Sequence, residues 1–457
     1  MKPEDFSGYL AAPSRRGSPG WLASGLRLLA VLMIGLATGC ANIPGLNLPF
    51  LTPAPTATLE SAIQTPTPEI TPQTTATPTP LPPTEMTLWL PPDFDPAGDD
   101  RAAQLLRQRI ERFESGNQMR VTVRLKAVSG SSGLLESLVA ASAAAPLAVP
   151  AVIALPRPDL ESAALKGLLV PLDGLSTAID DPDWYDYARE LALVQGVTFG
   201  LPFAGDGLVL VYRPAVINTP LGTWEDVLKI NQPLGFPAGS PLALNTVALY
   251  RSVGGEVEDA QRRPILQAEK LAEVLDLYRG GAVNNLFPAG TAQYETDTQV
   301  WQAYQDGQVN ACVTWTSFFL HDRLPDSLLA PLPQLGDQPS TLATGWVWAI
   351  ADPLPERRSI SAKLVEWLSD PAFLAEWTEA VGALPTRPAA MAAWQDQSIK
   401  SLVGQAALSA HARPSTELIS SLGPVLEEAV VKVISLQAEP SQAAAQAAER
   451  LADSQTR

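Results

Sequence analysis

The sequence predicts an α/β protein with a mostly parallel sheet covered by helices on both faces, and three observations carry that expectation. From Met86 onward, short strand-like runs alternate with helical runs. The run PAVIALP is apolar nearly throughout, as a strand buried on both faces requires. The helical run DDRAAQLLRQRIERFE places Ala103, Leu106, Ile110 and Phe113 at helical spacing.

Taken in order, MTLWLP (Met86 to Pro91) reads as the first strand and DDRAAQLLRQRIERFE as the helix after it. RVTVRLKAV alternates as a strand, GLLESLVAASAAA is a helix, and PAVIALP is a short buried strand. LVLVYR (Leu208 to Arg213) and NACVTW (Asn310 to Trp315) are further strands. Helices are expected at TWEDVLKI, AEKLAEVLDLYRGG, TDTQVWQAYQDG, SAKLVEWLSDPAFLAEWTEAVG, ELISSLGPVLEEAVVKVISL and SQAAAQAAERLADS. TLATGWVWAI (Thr341 to Ile350) reads as a strand with Trp346 and Trp348 on one face, directed either into a core or toward a ligand. No repeat of fixed period is visible.

A chain of 457 residues, 46% of them hydrophobic, has room for two or three domains. Acidic residues lead basic ones by 48 to 31, for a net charge of −17, which argues against a nucleic-acid partner. The two cysteines, Cys40 and Cys312, exclude a disulfide-stapled scaffold. Cys312 lies in an apolar strand and reads as a core thiol.

The N-terminal region has Arg15, Arg16 and Arg27 ahead of LLAVLMIGLATGC, a basic segment followed by an apolar run too short for a stable span. Residues 1–40 are therefore expected to be an export signal. Ending in Leu36-Ala37-Thr38-Gly39-Cys40, the segment resembles the lipobox of bacterial lipoproteins, which implies lipidation of Cys40. An uncleaved anchor or a buried cysteine is the competing reading; either way the body lies outside the cytoplasm, and lipidation of Cys40 would hold it to the outer face of the membrane. Arg15-Arg16 hints at twin-arginine export, but Gly17, Ser18 and Pro19 delay the apolar run and favour ordinary secretion. Residues 41–85 are rich in Pro and Thr and read as an extended tether, leaving 86–457 as the body.

Motifs of catalysis are mostly missing. His321 and His411 lie far apart and in no metal-ligand spacing, and no glycine-rich phosphate loop opens a helix after a strand. Asp93 and Asp206 would suit glycoside hydrolysis only at catalytic separation, which the sequence does not give.

Five local patterns then occur in order. They are AVIALPRPDLESAALKGLLVPLDGL, GVTFGLPFAGDGLVLVYRPAV, TWEDVL with Thr223 as N-cap, WQAYQDGQVNACVTWTSFF, and ATGWVWAI followed by SAKLVEWLSDPAFLAEWTEAVGALPTRP. Together they resemble the extracytoplasmic solute-binding proteins (family 1) of bacterial ABC importers, the type that includes maltose- and multiple-sugar-binding proteins.

The resemblance implies a two-lobe periplasmic-binding-protein fold, type II-like, with a ligand cleft and hinge crossings between the lobes. Lobe 1 would take 86–209 and 346–384, and lobe 2 would take 210–344 and 385–457. It implies no catalysis and no cofactor or metal. The expected ligand is a small polar solute, a sugar or oligosaccharide foremost, handed to ABC permease subunits by a lipid-anchored monomer. A cell-surface sensor or scaffold on the same fold is the alternative, and an extracellular glycosidase a third.

Cleft candidates follow from the rule that ligands sit beyond the carboxyl ends of strands. They are Asp93, Arg157, Asp159, Phe203, Asp206, Asn245, Trp315 and Trp346. Trp315 and Trp346 are either rings over the cleft or core residues, whereas Trp348 and Trp89 read as core. Arg157 and Asp159 either hold solute hydroxyls or lie in a solvated loop or salt bridge. Two departures weigh against a sugar: Pro91-Pro92 follows the first strand, and VTWTSFF lacks the Gly-x-Trp often seen in sugar binders.

Overall fold

The computed structural model describes residues 84–219 and 221–455, so the segments expected to be an export signal and a tether, with Cys40, lie outside the described residues. Strand β1 (Thr84–Leu90) is followed by α1 (Arg101–Asn117), which begins where the Asp100 carboxylate accepts the N–H of Ala103 at 2.8 Å. It stops at Gln118, whose φ of 51° is left-handed. Next come β2 (Met119–Leu125), α2 (Leu134–Ala144), β3 (Val152–Pro156), α3 (Arg157–Leu165) and α4 (Asp186–Ala192). The hairpin β4 (Leu193–Val194) and β5 (Val197–Thr198) leads into the long β6 (Gly200–Tyr212).

The middle of the chain supplies α5 (Trp224–Val227), β7 (Leu234–Gly235), α6 (Leu244–Ser252), α7 (Ala268–Val283), α8 (Asp297–Gln305), β8 (Ala311–Trp315), α9 (Thr316–Asp322), β9 (Leu328–Pro331) and β10 (Thr341–Ile350). A capping box of Thr296 and Gln299 starts α8. The last part consists of α10 (Arg358–Leu368), α11 (Pro371–Val381), α12 (Pro388–Ala392), α13 (Gln397–Ser409), β11 (Ala410–Ala412), α14 (Thr416–Ile434) and α15 (Pro440–Ser454). None of the described helices is long and apolar enough to cross a membrane.

Nine strands form one sheet in the order β2-β1-β3-β10-β6-β8-β7, with β11 added beside β10 and β9 beside β6. β1 runs parallel to β2 and β3, but β10 is antiparallel to β3 and β6, and β6 is antiparallel to β8 and β9. The sheet is thus mixed where a mostly parallel one was expected. The physical reason is that β6 and β10 are not links in a strand-helix-strand unit but long strands that carry the chain from one half of the sheet to the other and back. Gly200 to Gly207 of β6 pair with β10, while Leu208 to Tyr212 pair with β8 and β9. Every residue of β8 and β10 is buried, as two-sided cover by helices demands.

Other differences are local. α5 is one turn, shorter than TWEDVLKI suggested. α6 buries seven successive residues from Leu244 to Tyr250, so it has no polar face and leaves no amphipathic signal in the sequence. Cys312 is a buried free thiol in β8, and burial pushes its pKa up, as a core thiol requires.

The crossing strands approach closely where their glycines face. A Cβ on Gly345 would lie 2.4 Å from the carbonyl oxygen of Ala204 and 2.9 Å from the Leu191 side chain. Gly345→Ala must therefore push β10 off β6. Urea unfolding is expected to show a loss of about 1–3 kcal/mol, typical of overpacking. An unchanged midpoint would contradict this account of the crossing.

Candidate functional site

The two halves of the sheet meet at the middle of β6, and the strand ends point there. β10 sets Trp346 opposite Ala204 of β6 on one side and Pro156 of β3 on the other. The register shifts between Trp346 and Val347, so a bulge falls where β10 passes from one half toward the other. On β6 the backbone of Gly205 exchanges hydrogen bonds with Leu384 at 2.7 and 2.8 Å, tying the segment after α11 to the same point.

Asp206 is the most enclosed polar group of this junction, with no exposed surface. Its carboxylate accepts the Thr316 hydroxyl at 2.7 Å, the Ser317 N–H at 3.0 Å and the Ser317 hydroxyl at 2.6 Å. The Thr316 oxygen in turn accepts the N–H of Gly207 at 3.2 Å. One carboxyl thus fastens the crossing strand to the start of α9. Burial pushes its pKa up to about 7; the hydrogen bonds from Ser317 and Thr316 pull it back, and the Asp297 carboxylate adds to the rise. Asp297, at the start of α8, is itself pushed up to about 6 by burial, opposed by a hydrogen bond from Trp315.

The aromatic candidates are covered rather than presented on an open surface. Trp315 has no exposed area, and its indole is engaged by Asp297. Trp346 is 2% exposed, its ring edge-on to Phe94 at 5.1 Å. Phe203 is fully buried and stacks on Trp348 at 3.9 Å. Phe94 and Phe203 also contact Trp377 of α11, at 5.3 and 5.6 Å. Trp346 and Trp348 therefore belong to one aromatic cluster, and the expected split between a platform ring and a packing ring is not seen. The reason is geometric: residues two apart on a strand share a face, and Phe94 with α11 covers that face.

Asp93 lies exposed in the turn after β1; desolvation raises its pKa and the charge of His321 in α9 opposes that rise. The turn after β1 and α9 therefore face each other across the same junction. Arg157 is buried at the start of α3, and its Nη1 donates to the carbonyls of Leu191 at 3.1 Å and Leu193 at 2.7 Å, capping the end of α4. Burial lowers its pKa most, with Glu161 opposing and Arg413 adding to the fall.

Asp159 does not join Arg157. It is half-buried, its pKa pushed up to about 7 by burial and by Glu136 of α2. Two residues apart on a helix face opposite ways, which separates the pair. Asn245 is buried in α6, where its amide donates to the Tyr278 hydroxyl at 3.0 Å. Asp93, Arg157, Phe203, Asp206, Trp315 and Trp346 thus converge on the junction, while Asp159 turns toward α2 and Asn245 pairs within its own half.

Sequence reading missed Asp297, the first residue of a capped helix, Glu161 and Glu190, which look like ordinary helix acids in α3 and α4, and Arg413, which follows the short β11. A groove of about 570 Å³ between β9, the loop before α5 and α13 is lined by Gln334, Gln338 and Gln405 among others and by none of the expected residues. Among the described residues no cluster of His, Cys, Asp or Glu suits a metal ion.

Residues 108–402 match the model of the family described as bacterial extracellular solute-binding protein. No curated protein matches the chain in sequence. Among solved structures, the maltose-binding periplasmic protein of Listeria monocytogenes in complex with maltose is 14% identical, with a TM-score of 0.68, covering 82% of this chain and 98% of that one. The sugar-binding protein of Xanthomonas citri is 18% identical, with a TM-score of 0.67 and coverage of 81% and 98%. The cyclic alpha-maltosyl-1,6-maltose binding protein of Arthrobacter globiformis is 17% identical, with a TM-score of 0.66 and coverage of 81% and 98%. At these identities the likeness establishes the two-lobe fold.

The Asp206 fastening has a pH signature. A carboxyl whose pKa rises on folding from 3.8 to about 7 favours its neutral form in the folded state, so its contribution is fully present below the unfolded pKa and is lost as pH rises through the folded one. Asp159 and Asp297 act in the same direction. The melting temperature is expected to fall between about pH 4 and about pH 8, and less steeply in Asp206→Asn, which mimics the neutral acid. Asp206→Ala, leaving the donors of Thr316 and Ser317 unpaired, should lose about 1–3 kcal/mol in denaturant titrations at any pH.

Proposed function

The chain belongs to the bacterial extracellular solute-binding protein family, and on that premise we propose that it captures a small polar solute between two lobes and delivers it to an ABC importer permease. One observation supports this reading above the others: a single pair of strands, β6 and β10, carries the chain between the halves of the sheet, and polar and aromatic residues from the strand ends on both sides converge on that crossing. A hinge at such a crossing lets ligand-bound and ligand-free forms differ in shape, which a permease can distinguish through differential contacts.

The solute we propose is a sugar or oligosaccharide, in keeping with the maltose and cyclic maltosyl-maltose bound by two of the similar structures. In this reading the lobes comprise 86–209 with 346–384 and 210–344 with 385–457. In this reading Trp315 and Trp346 border the cleft at the crossing, where Gly382 at the end of α11 lies against α9. Aromatic faces cover sugar CH groups while Asp93 and Arg157 supply polar contacts, with Phe203 and Asp206 holding the crossing beneath them.

The protein does no chemistry in this proposal, in keeping with its family and with the binding proteins whose fold it shares. It works as a monomer on the outer face of the membrane, held by a lipid on Cys40 and standing off on its Pro/Thr-rich tether.

Thermal denaturation with maltose, maltotriose and a cyclodextrin tests the proposal. A ligand at about one hundred times its Kd should stabilise the protein by about 2.7 kcal/mol and raise the melting temperature measurably. Trp315→Ala and Trp346→Ala, if folded, are expected to lose about tenfold or more in affinity by calorimetric titration, about 1.4 kcal/mol. No shift with any of these sugars would sink the sugar reading, and unchanged affinity in both folded variants would sink the site.

A further inference from the structure

We propose that the solute carries an oxyanion, a carboxylate or a phosphate, and that Arg413 beside Arg157 is the subsite that receives it; this rests on the solute-binding reading above. Arg413 is the residue after β11, and its own N–H is fixed to the carbonyl of Ala343 in β10 at 2.8 Å. Its side chain is 4% exposed. Among the described residues its guanidinium makes no hydrogen bond, and no carboxylate lies within ion-pair distance of it; Nη1 in particular is buried without an acceptor. A guanidinium remains charged in proteins, so the group cannot relieve this by losing its proton.

Arg157 repeats the pattern in part. It is 9% exposed, and while Nη1 is satisfied by the carbonyls of Leu191 and Leu193, its Nε is buried with no acceptor. The two cations are near enough to disfavour one another. A third, Arg251 of α6, reaches the carbonyl of Ala412 at 3.3 Å.

The carboxylates of the neighbourhood are committed elsewhere. Glu161 accepts the N–H of Thr416 at 3.0 Å, and Glu190 accepts the N–H of Ala412 at 2.7 Å and lies 3.6 Å from His411. Both moderate the field without hydrogen bonding Arg413. Glu258, whose charge acts on Arg251, pairs with Arg262 at 3.7 Å, so none of the three glutamates near these arginines hydrogen-bonds Arg413.

Burying a cation without a partner is costly, and a fold retains such a group most readily where a ligand supplies the partner. The place suits that role. Arg157 comes from the half of the sheet holding β1, β2 and β3, Arg251 from α6 in the other half, and Arg413 from the segment that follows the β10–β11 pair near the crossing. A bound oxyanion would tie segments of both halves together and favour closure. The planar fork of a guanidinium matches a carboxylate or phosphate with two parallel hydrogen bonds, which a neutral hydroxyl cannot reproduce. A sugar acid or a sugar phosphate would place its ring toward the aromatic side of the junction and its anionic group on Arg413.

Melting curves of the full chain tell the difference, using inorganic phosphate and acetate as probes against chloride at constant ionic strength. The wild type is expected to gain several degrees with one of the two, and which one answers decides between phosphate and carboxylate. Arg413→Gln should abolish that gain, and Arg413→Lys, which keeps the charge but not the fork, should keep only part of it. In the ligand-free state Arg413→Gln should melt at or above the wild type, since it removes an unpaired buried cation. If Arg413→Gln does not fold, Arg413→Lys and Arg157→Lys carry the comparison. Equal gains in wild type and variants, or no gain in the wild type, would overturn the anion subsite. The neutral-sugar series decides the broader reading separately: a response to maltose with none to either anion leaves solute binding standing and removes this subsite alone.

Discussion

The antiparallel pairing of β6 with β10 is the constraint on which the rest of the structure depends. These two strands are the longest in the sheet and the ones through which its two halves are joined. Their approach is set by small residues: a Cβ on Gly200 would fall 2.2 Å from the carbonyl of Trp348, and one on Gly345 2.4 Å from that of Ala204. With the backbones this close, the bulge between Trp346 and Val347 is fixed in place. The ladder of β10 on β6 continues on both sides of the bulge and ends at Gly207, and β9 pairs with β6 from Val209 onward.

Packing around the crossing follows from that geometry. Phe94, Phe203, Trp346, Trp348 and Trp377 meet edge-on or stacked on one side of the sheet, so the aromatic side chains act as a single hydrophobic wedge under α11. On the other strand half, Asp206 takes the role a backbone ladder cannot, joining β6 to α9 through two side-chain hydroxyls and one N–H. Three donors on a buried carboxyl soften its desolvation without removing it, which is why its pKa still stands far above that of a free carboxyl. The junction is therefore held partly by a group whose preferred charge differs between the folded and unfolded chain.

The arginines present the opposite case. Arg387 is buried over the Trp184 ring at 3.8 Å and paired with Asp181 at 3.1 Å, so a carboxylate answers its charge although its Nε is buried without an acceptor. Arg157 is answered in part by the end of α4, and Arg413 by nothing within the described residues. A solute-binding protein has reason to keep polar groups incompletely satisfied where its solute binds, because the ligand completes them.

Sequence alone determined the alternation of strands and helices, the start of α5 capped by Thr223, the buried character of β3 and β8, and, through ordered local motifs, the family and its two-lobe fold. Those properties are local: periodicity, capping chemistry and turn residues act within a few positions. It also brought Asp93, Arg157, Phe203, Asp206, Trp315 and Trp346 forward as a set, because strand ends are readable from apolar runs. Only the tertiary structure decided which of their side chains meet: that Trp346 joins Trp348 through Phe94 and Phe203, that Asp159 faces α2, and that Asp206 finds Thr316 and Ser317 more than a hundred positions away. The mixed direction of the sheet and the isolation of Arg413 belong to the same class. Pairing and burial between distant segments depend on how the halves are set against each other, and no short-range pattern in the chain encodes that.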